Sequence, residues 1–230
     1  MFILVVDSVD PEPRAQGWAS DGLDRAIAAL TDAAGDAEVQ VVPISEIGSA
    51  ENDGETIWCP LTVAFTAATL PAALRSHPLL SLASRCGEIE GMRQDITQHL
   101  DIEGGDGTLW LPVVVTAKGP LYAEAIAPLA PDGDSDGHQQ PFHLSDRQRQ
   151  TVYRFARQIL QQLDVPPAVY LIGLGMALDA DQTMTRLWFD RVLPFPGEPA
   201  IASLSVQTPD LFTCHWRCLT GQPIHDITIP

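Results

Sequence analysis

Lysine is nearly missing from this chain. Lys118 is the only one among 230 residues, and lysine and arginine together number 13 against 30 aspartates and glutamates. The resulting net charge of −17 repels nucleic acid phosphates and anionic membrane surfaces, so neither is expected as a partner. No apolar run approaches the length of a membrane span. The opening MFILVV has no basic segment before it and is cut short by Asp7, so it reads as a first strand and not as a signal peptide. Cysteine is sparse too, at 59, 86, 214 and 218, which fits buried thiols in a reducing cytoplasm better than a disulfide framework. No internal repeat and no long low-complexity segment is present.

What remains is 45% hydrophobic, enough for a real core. Phe2 to Val6 is a continuous apolar run typical of a buried strand. Asp21 to Ala34 places Leu23, Ile27 and Leu30 on one helical stripe and stops at Gly35. Val39 to Val42 and Thr56 to Cys59 read as further strands, so the chain begins with a small α/β unit. From Thr66 to Leu100 the spacing is helical, with Pro71 and Pro78 suited to first turns and Ile89, Met92, Ile96 and Leu100 on one face. The stretch EGGDG at 103–107 marks a boundary, giving units 1–105 and 106–230.

Beyond it, Leu109 to Ala117 and Leu121 to Leu129 form a hairpin pattern, with Pro112 suggesting an edge or a strand start. A loop is expected from Pro131 to Pro141. Ser145 and Gln148 make a capping box for a helix whose stripe is Val152, Phe155, Ile159 and Leu163. Val169 to Met176 and Met184 to Leu193 read as paired strands. The last helix follows Thr208, which is placed as its cap, with Pro209 in the first helical position and Asp210 favouring the dipole.

Four motifs suggest chemistry. Asp132 to Gly137 copies the first half of an EF-hand loop, but its twelfth position is His143 where a bidentate glutamate is needed. Gly133-Asp-Ser135-Asp-Gly137 matches a nucleophile elbow without its strand-to-helix turn. Gly173-Leu-Gly175 lacks the third glycine and the following helix of a dinucleotide fingerprint. Cys214 and Cys218, with His215 between, share a helix face without a second ligand pair for zinc. Each reads as ordinary structure.

The segment from Leu187 to Pro223 carries the one informative resemblance. Its end, Gln207-Thr-Pro-Asp-Leu-Phe212-Thr-Cys-His215-Trp-Arg217-Cys-Leu-Thr-Gly221-Gln-Pro223, keeps the spacing of a pattern like Thr-Ser-Gln-Phe-Glu-Gln-His-x-Arg-Ala-x-x-Gly-Leu-Pro. From about Leu109 onward the chain resembles the C-terminal half of an ATP-grasp fold, and carboxyaminoimidazole ribonucleotide synthetase in particular. The resemblance implies an antiparallel sheet with packed helices, ATP and magnesium as cofactors, and purine-pathway carboxylate–amine chemistry. It also implies two magnesium-holding carboxylates, one on each strand of the last pair. Here Gly173 lies near the first place and Arg191 stands at the second, with Phe195 where the family has arginine. The family's glycine-rich phosphate-covering loop with lysine partners has no counterpart.

The expectation is therefore an α/β (α+β) protein: a small N-terminal α/β unit followed by a degenerate ATP-grasp-like sheet with its helices. It would be cytoplasmic, without a cofactor and without a metal. It would act as a non-catalytic binding or regulatory module for a partner protein or a small anion. Asp190, Arg191, Gln207 and Thr208 are the candidate ligand-binding residues, and Phe195 in LPFPGEP is the candidate docking residue for a partner. One alternative is an active ATP-dependent ligase with a rearranged site, in which Asp190 and Glu124 hold magnesium. Another is an assembly or scaffold protein.

Overall fold

The structure is a computed structural model that describes residues 1–9, 12–49, 54–66, 69–130 and 137–229. It contains two sheets. The first is parallel, with strand order β2-β1-β3, from β1 (Phe2–Val6), β2 (Val39–Pro43) and β3 (Ile57–Pro60). β1 is central, with Leu4 opposite Val41 on one side and Cys59 on the other. Both of its faces are covered, which is why it reads as an unbroken apolar run. Phe2, Leu4 and Val6 pack on Leu23, Ala26 and Leu30 of α1 (Ser20–Ala34). Ile3 and Val5 point the other way, onto Ile47, Trp58, Leu74 and Leu80. α1 ends at Gly35, whose φ of 61° falls in the region that glycine enters without a Cβ clash.

Two helices lead to the second sheet: α2 (Pro78–Gly87), with proline in its first turn, and α3 (Ile89–Leu100). The helical spacing from Thr66 does not hold as far back as Pro71, where the chain makes turns and α2 begins only at Pro78. The second sheet is antiparallel, with order β7-β6-β4-β8-β9 and β5 beside β4. Its strands are β4 (Leu109–Thr116), β5 (Gly119–Tyr122), β6 (Ala125–Pro128), β7 (His138–Phe142), β8 (Ala168–Leu178) and β9 (Met184–Leu193). Pro112 is in an interior strand and not at an edge. Its carbonyl accepts from Ala123 N at 3.1 Å, so its missing N–H faces the break between β5 and β6, where no ladder bond is lost. The stretch expected as a loop up to Pro141 contains β7, which pairs with β6. The nucleophile-elbow and EF-hand matches fall mostly on 131–136, outside the described residues.

α4 (Asp146–Leu163) lies on one face of this sheet with both bonds of the expected capping box: Ser145 N donates to Gln148 Oε1 at 2.7 Å and Gln148 N to Ser145 Oγ at 3.4 Å. Val152, Phe155, Ile159 and Leu163 are buried there with Leu111, Val113, Tyr170 and Ile172. Leu79, Met92 and Ile96 join the same core, so packing runs across the expected boundary at 105–106. The opposite face carries Val114, Val169 and Leu171 against α5 (Leu211–Leu219), and this core is continuous with that of β1 and α1. Phe2 meets Trp216 there, ring centres 4.7 Å apart.

The cap of α5 is Asp210 and not Thr208. Its Oδ1 accepts from Phe212 N at 2.9 Å and Thr213 N at 3.0 Å, two amides that a helix leaves unpaired. Thr208 instead pairs its backbone with Thr228. All four cysteines are buried free thiols. Burial pushes Cys86, Cys214 and Cys218 up to about 12, which disfavours their reactive thiolate forms. His215 is also enclosed, its Nδ1 accepting from Val169 N at 3.1 Å. Among the described residues no three His, Cys, Asp or Glu side chains gather as a metal site, and no helix is long and apolar enough to cross a membrane.

Candidate functional site

The site begins with an irregularity in β9. Gly173 pairs with Arg191 and Leu174 with Phe189, which leaves Asp190 as an extra residue on β9. A bulge re-aims a side chain. Here the carboxylate of Asp190 is only 2% exposed. A buried carboxylate needs partners, and it has two arginines. Its Oδ1 accepts from Arg93 Nη2 of α3, and its Oδ2 from Arg191 Nε at 3.1 Å. Arg93 Nε also donates to the Asp190 carbonyl at 3.0 Å. The remaining arms of Arg93 reach Glu90 at 2.8 Å and Asp106 at 2.7 Å. Burial opposes the charge on Arg93, but the hydrogen bonds it donates to Asp106 and Asp190 outweigh it and raise its pKa. The same hydrogen bond from Arg93 holds the carboxyl of Asp106 below its ordinary range.

Arg191 is thus held by its Nε alone. Among the described residues its two terminal nitrogens make no hydrogen bond, and the side chain is 37% exposed. It lines a cavity of about 220 Å3 between the two sheets, together with Trp18, Trp110, His138, Phe195 and Glu198. Trp18 is fixed by its Nε1, which donates to Leu61 O at 2.8 Å. Burial lowers the pKa of His138, favouring its neutral imidazole. A guanidinium facing flat rings in a part-enclosed cleft suits a carboxylate or phosphate.

The two places at which the resemblance puts magnesium ligands are direct cross-strand partners, Gly173 and Arg191. Their residues do not fit the metal. Glycine has no donor, a guanidinium repels a cation, and both oxygens of neighbouring Asp190 are taken by arginines. Glu124, the alternative second ligand, pairs with Arg149 at 3.5 Å.

Of the residues singled out in the sequence, Asp190 and Arg191 come together at the cleft. Gln207 does not line it. Gln207 is buried, its Oε1 accepting from Gln140 Nε2 at 3.1 Å and its Nε2 donating to Pro209 O at 2.9 Å. Thr208 is exposed beside Thr228. The proposed docking role of Phe195 is corrected. Phe195 is 2% exposed, because LPFPGEP folds inward and puts its ring in the core and the cleft wall. Sequence reasoning missed Arg93, Trp18, Trp110 and His138. The one local signal was Arg93 beside the apolar Met92 on a helix whose inner face it borders.

No protein-family model matches the chain. A formate-dependent phosphoribosylglycinamide formyltransferase from Bacillus velezensis is 25% identical over 147 residues, 64% of this chain but 36% of the relative. The chain thus spans little more than a third of that relative's length. Among solved structures, glycinamide-RNase-transformylase T from Mycobacterium tuberculosis superposes over 97% of this chain and 80% of its own, with a TM-score of 0.64 and 16% identity. N5-carboxyaminoimidazole synthase from Aspergillus clavatus covers 97% and 77%, with a TM-score of 0.67 and 10% identity. The fold is therefore the ATP-grasp fold of these enzymes, as the resemblance implied. The expectation of no cofactor is corrected by the same finding, since the Aspergillus protein was solved with ADP and 5-aminoimidazole ribonucleotide.

Proposed function

We propose that this chain is a ligand-binding protein of the ATP-grasp fold that holds a small phosphate- or carboxylate-bearing molecule of ribonucleotide type, adenine nucleotides included, in the cleft against Arg191. The observation that carries the reading is the clamp on Arg191. Buried Asp190 fixes its Nε, and the residue lines a part-enclosed cavity together with Trp18 and Trp110. Preorganising a guanidinium in this way removes much of the entropy cost of binding. The relatives' names, which pair this fold with purine-pathway ribonucleotides, support the ligand class.

A second reading is favoured by those names: an ATP-dependent carboxylate–amine ligase acting on a purine precursor. It needs magnesium on carboxylates other than the Gly173–Arg191 pair. Calorimetry separates the two. Titration of 5-aminoimidazole ribonucleotide and of ATP, each with and without magnesium, is expected to give binding that falls at least ~10-fold in Arg191→Ala, the loss of a charge-assisted contact of about 1.5–3 kcal/mol. Equal binding by the variant would sink the cleft reading. Magnesium-dependent ATP binding, with ADP released once an amine and a carboxylate are added, would select the ligase.

A further inference from the structure

A second recess, which shares no lining residue with the cleft, gathers positive charge alone. It lies where the turn between β4 and β5 meets the end of α5, and its volume is about 160 Å3. Lys118, the only lysine, and Arg217 of the last turn of α5 both line it, with Thr116, Gln222 and Ile224. No acid is among its lining residues. Other recesses differ in this respect. The cleft has Glu198 as well as Arg191, and the cavity beside it has Asp21 as well as Arg25. A groove at the end of α4 has Arg157 and Asp164, and one at its start has Arg147 and Asp181. In a chain with 30 acids and 13 bases, two bases without an acid are the exception.

Among the described residues the side chains of Lys118 and Arg217 make no hydrogen bond and no ion pair. A helix end draws cations because its last carbonyls lack partners. In α5 those carbonyls are taken. Trp216 O accepts from Thr220 N at 3.0 Å and from Thr220 Oγ1 at 2.8 Å, Arg217 O from Gln222 N at 2.8 Å, and Cys218 O from Gly221 N at 3.3 Å. The turn is held without its lysine side chain too: Lys118 N donates to Thr116 Oγ1 at 3.1 Å, and Thr116 Oγ1 donates to Gly119 O at 2.9 Å. The backbone on both sides is therefore fixed independently of the two cations. Packing of α5 on β4 and β8 brings them to one recess from positions 99 apart, as 217 less 118 gives.

We propose that this recess is a phosphate-binding site, in which Lys118 and Arg217 hold a phosphate dianion, free or as the end of a phosphomonoester. Two unneutralised cations match a dianion, the lysine as a point charge and the arginine as a fork of donors. The recess is smaller than the roughly 300–1,000 Å3 of sites that bury a drug-sized ligand, so it seats the charged group and not a whole nucleotide. The site stands apart from the Arg191 cleft and does not depend on it.

The probes are inorganic phosphate and glycerol 3-phosphate, each titrated into the 15N-labelled full chain carrying Arg191→Ala, so that the cleft does not contribute. The amides of Gly119, Gly221 and Gln222 are expected to shift along one saturating curve, and the tighter probe tells whether the free ion or an ester is preferred. Lys118→Ala and Arg217→Ala should each weaken binding about 10-fold, the loss of one charge-assisted contact. The double variant should abolish it, and Arg217→Lys, which keeps the charge, should retain it. Lys118 is exposed in its turn, so its variant serves if Arg217→Ala does not fold. No saturable shift at these amides with either probe would overturn the proposal. So would an unchanged curve in Lys118→Ala, or the same shifts with sodium chloride at matched ionic strength. The proposed function of the cleft fails separately, in the calorimetry that compares the wild type with Arg191→Ala.

Discussion

The two faces of the antiparallel sheet solve different problems. One is closed by α4 and α3 over an apolar core that runs from Leu79 and Ile96 to Val152 and Ile159, with Gln148 buried beside it. The other is shared with the parallel sheet, and beside its apolar core it holds the Arg191 cavity and enclosed His215. Asp190, at the bulge, links an arginine from each neighbourhood, Arg93 of α3 and Arg191 at the cleft. The closed face shows what stability asks of this fold. The open face shows where polar groups are tolerated at a cost, which is where a ligand-binding role belongs.

The largest break in this contrast is expected at Asp190. Asp190→Ala leaves two arginines facing a buried gap, and removing one partner of a buried ion pair costs about 3–5 kcal/mol. Urea denaturation reads this as a lower midpoint, and a change under 1 kcal/mol would mean that the arginines relax into solvent. On the closed face Ile159→Ala should cost about 3 kcal/mol through a cavity, with ligand binding unchanged. If binding falls as well, the faces are coupled and the contrast is too sharp.

His215 sharpens the comparison through pH. Burial pushes its pKa down to about 3, so the folded protein holds it neutral while the unfolded chain protonates it near 6.5. The unfolded state then binds more protons between those values. Stability should be intact above pH 6.5 and should fall on acidification, by about 2 kcal/mol at pH 5. His215→Gln, which can still accept the Val169 N–H through its carbonyl, should flatten that slope in denaturation curves taken from pH 7 to pH 5. A slope unchanged by the substitution would move the effect to other groups. Ser145→Ala, which removes the cap of α4 on the closed face, should cost about 1 kcal/mol in the same assay. Arg191→Ala should change stability least, within about 0.5 kcal/mol, because the guanidinium is part-exposed and Asp190 keeps Arg93.

The closed face was largely legible in the sequence. The capping box at Ser145 and the stripe from Val152 to Leu163 are local patterns, and they form as read. So do the apolar run of β1 and the stop at Gly35. Half of the site was legible as well, because Asp190 and Arg191 stand out against the family pattern. The rest depends on long-range meetings that leave no periodic trace. Arg93 and Asp190 are 97 positions apart. The bulge that turns Asp190 inward is a matter of register, and nothing in LWFDRVL announces it. Phe195 misled because a proline-flanked aromatic looks the same whether its loop folds outward or inward. The α5 cap was misplaced by a short distance, since Thr208 and Asp210 both carry capping side chains and only geometry chooses.

The glycine-rich stretch after α3 has a consequence for how the molecule treats its neighbours. Gly105 N donates to Phe189 O at 2.9 Å, and Phe189 N donates to Glu103 O at 2.8 Å. These bonds satisfy the outer side of β9, the last strand of its sheet, at its middle. An open strand edge recruits other chains and seeds fibrils. The stretch expected as a boundary between units therefore also serves as a selvedge, a finished border at the middle of β9 that leaves less of the edge open to a stranger.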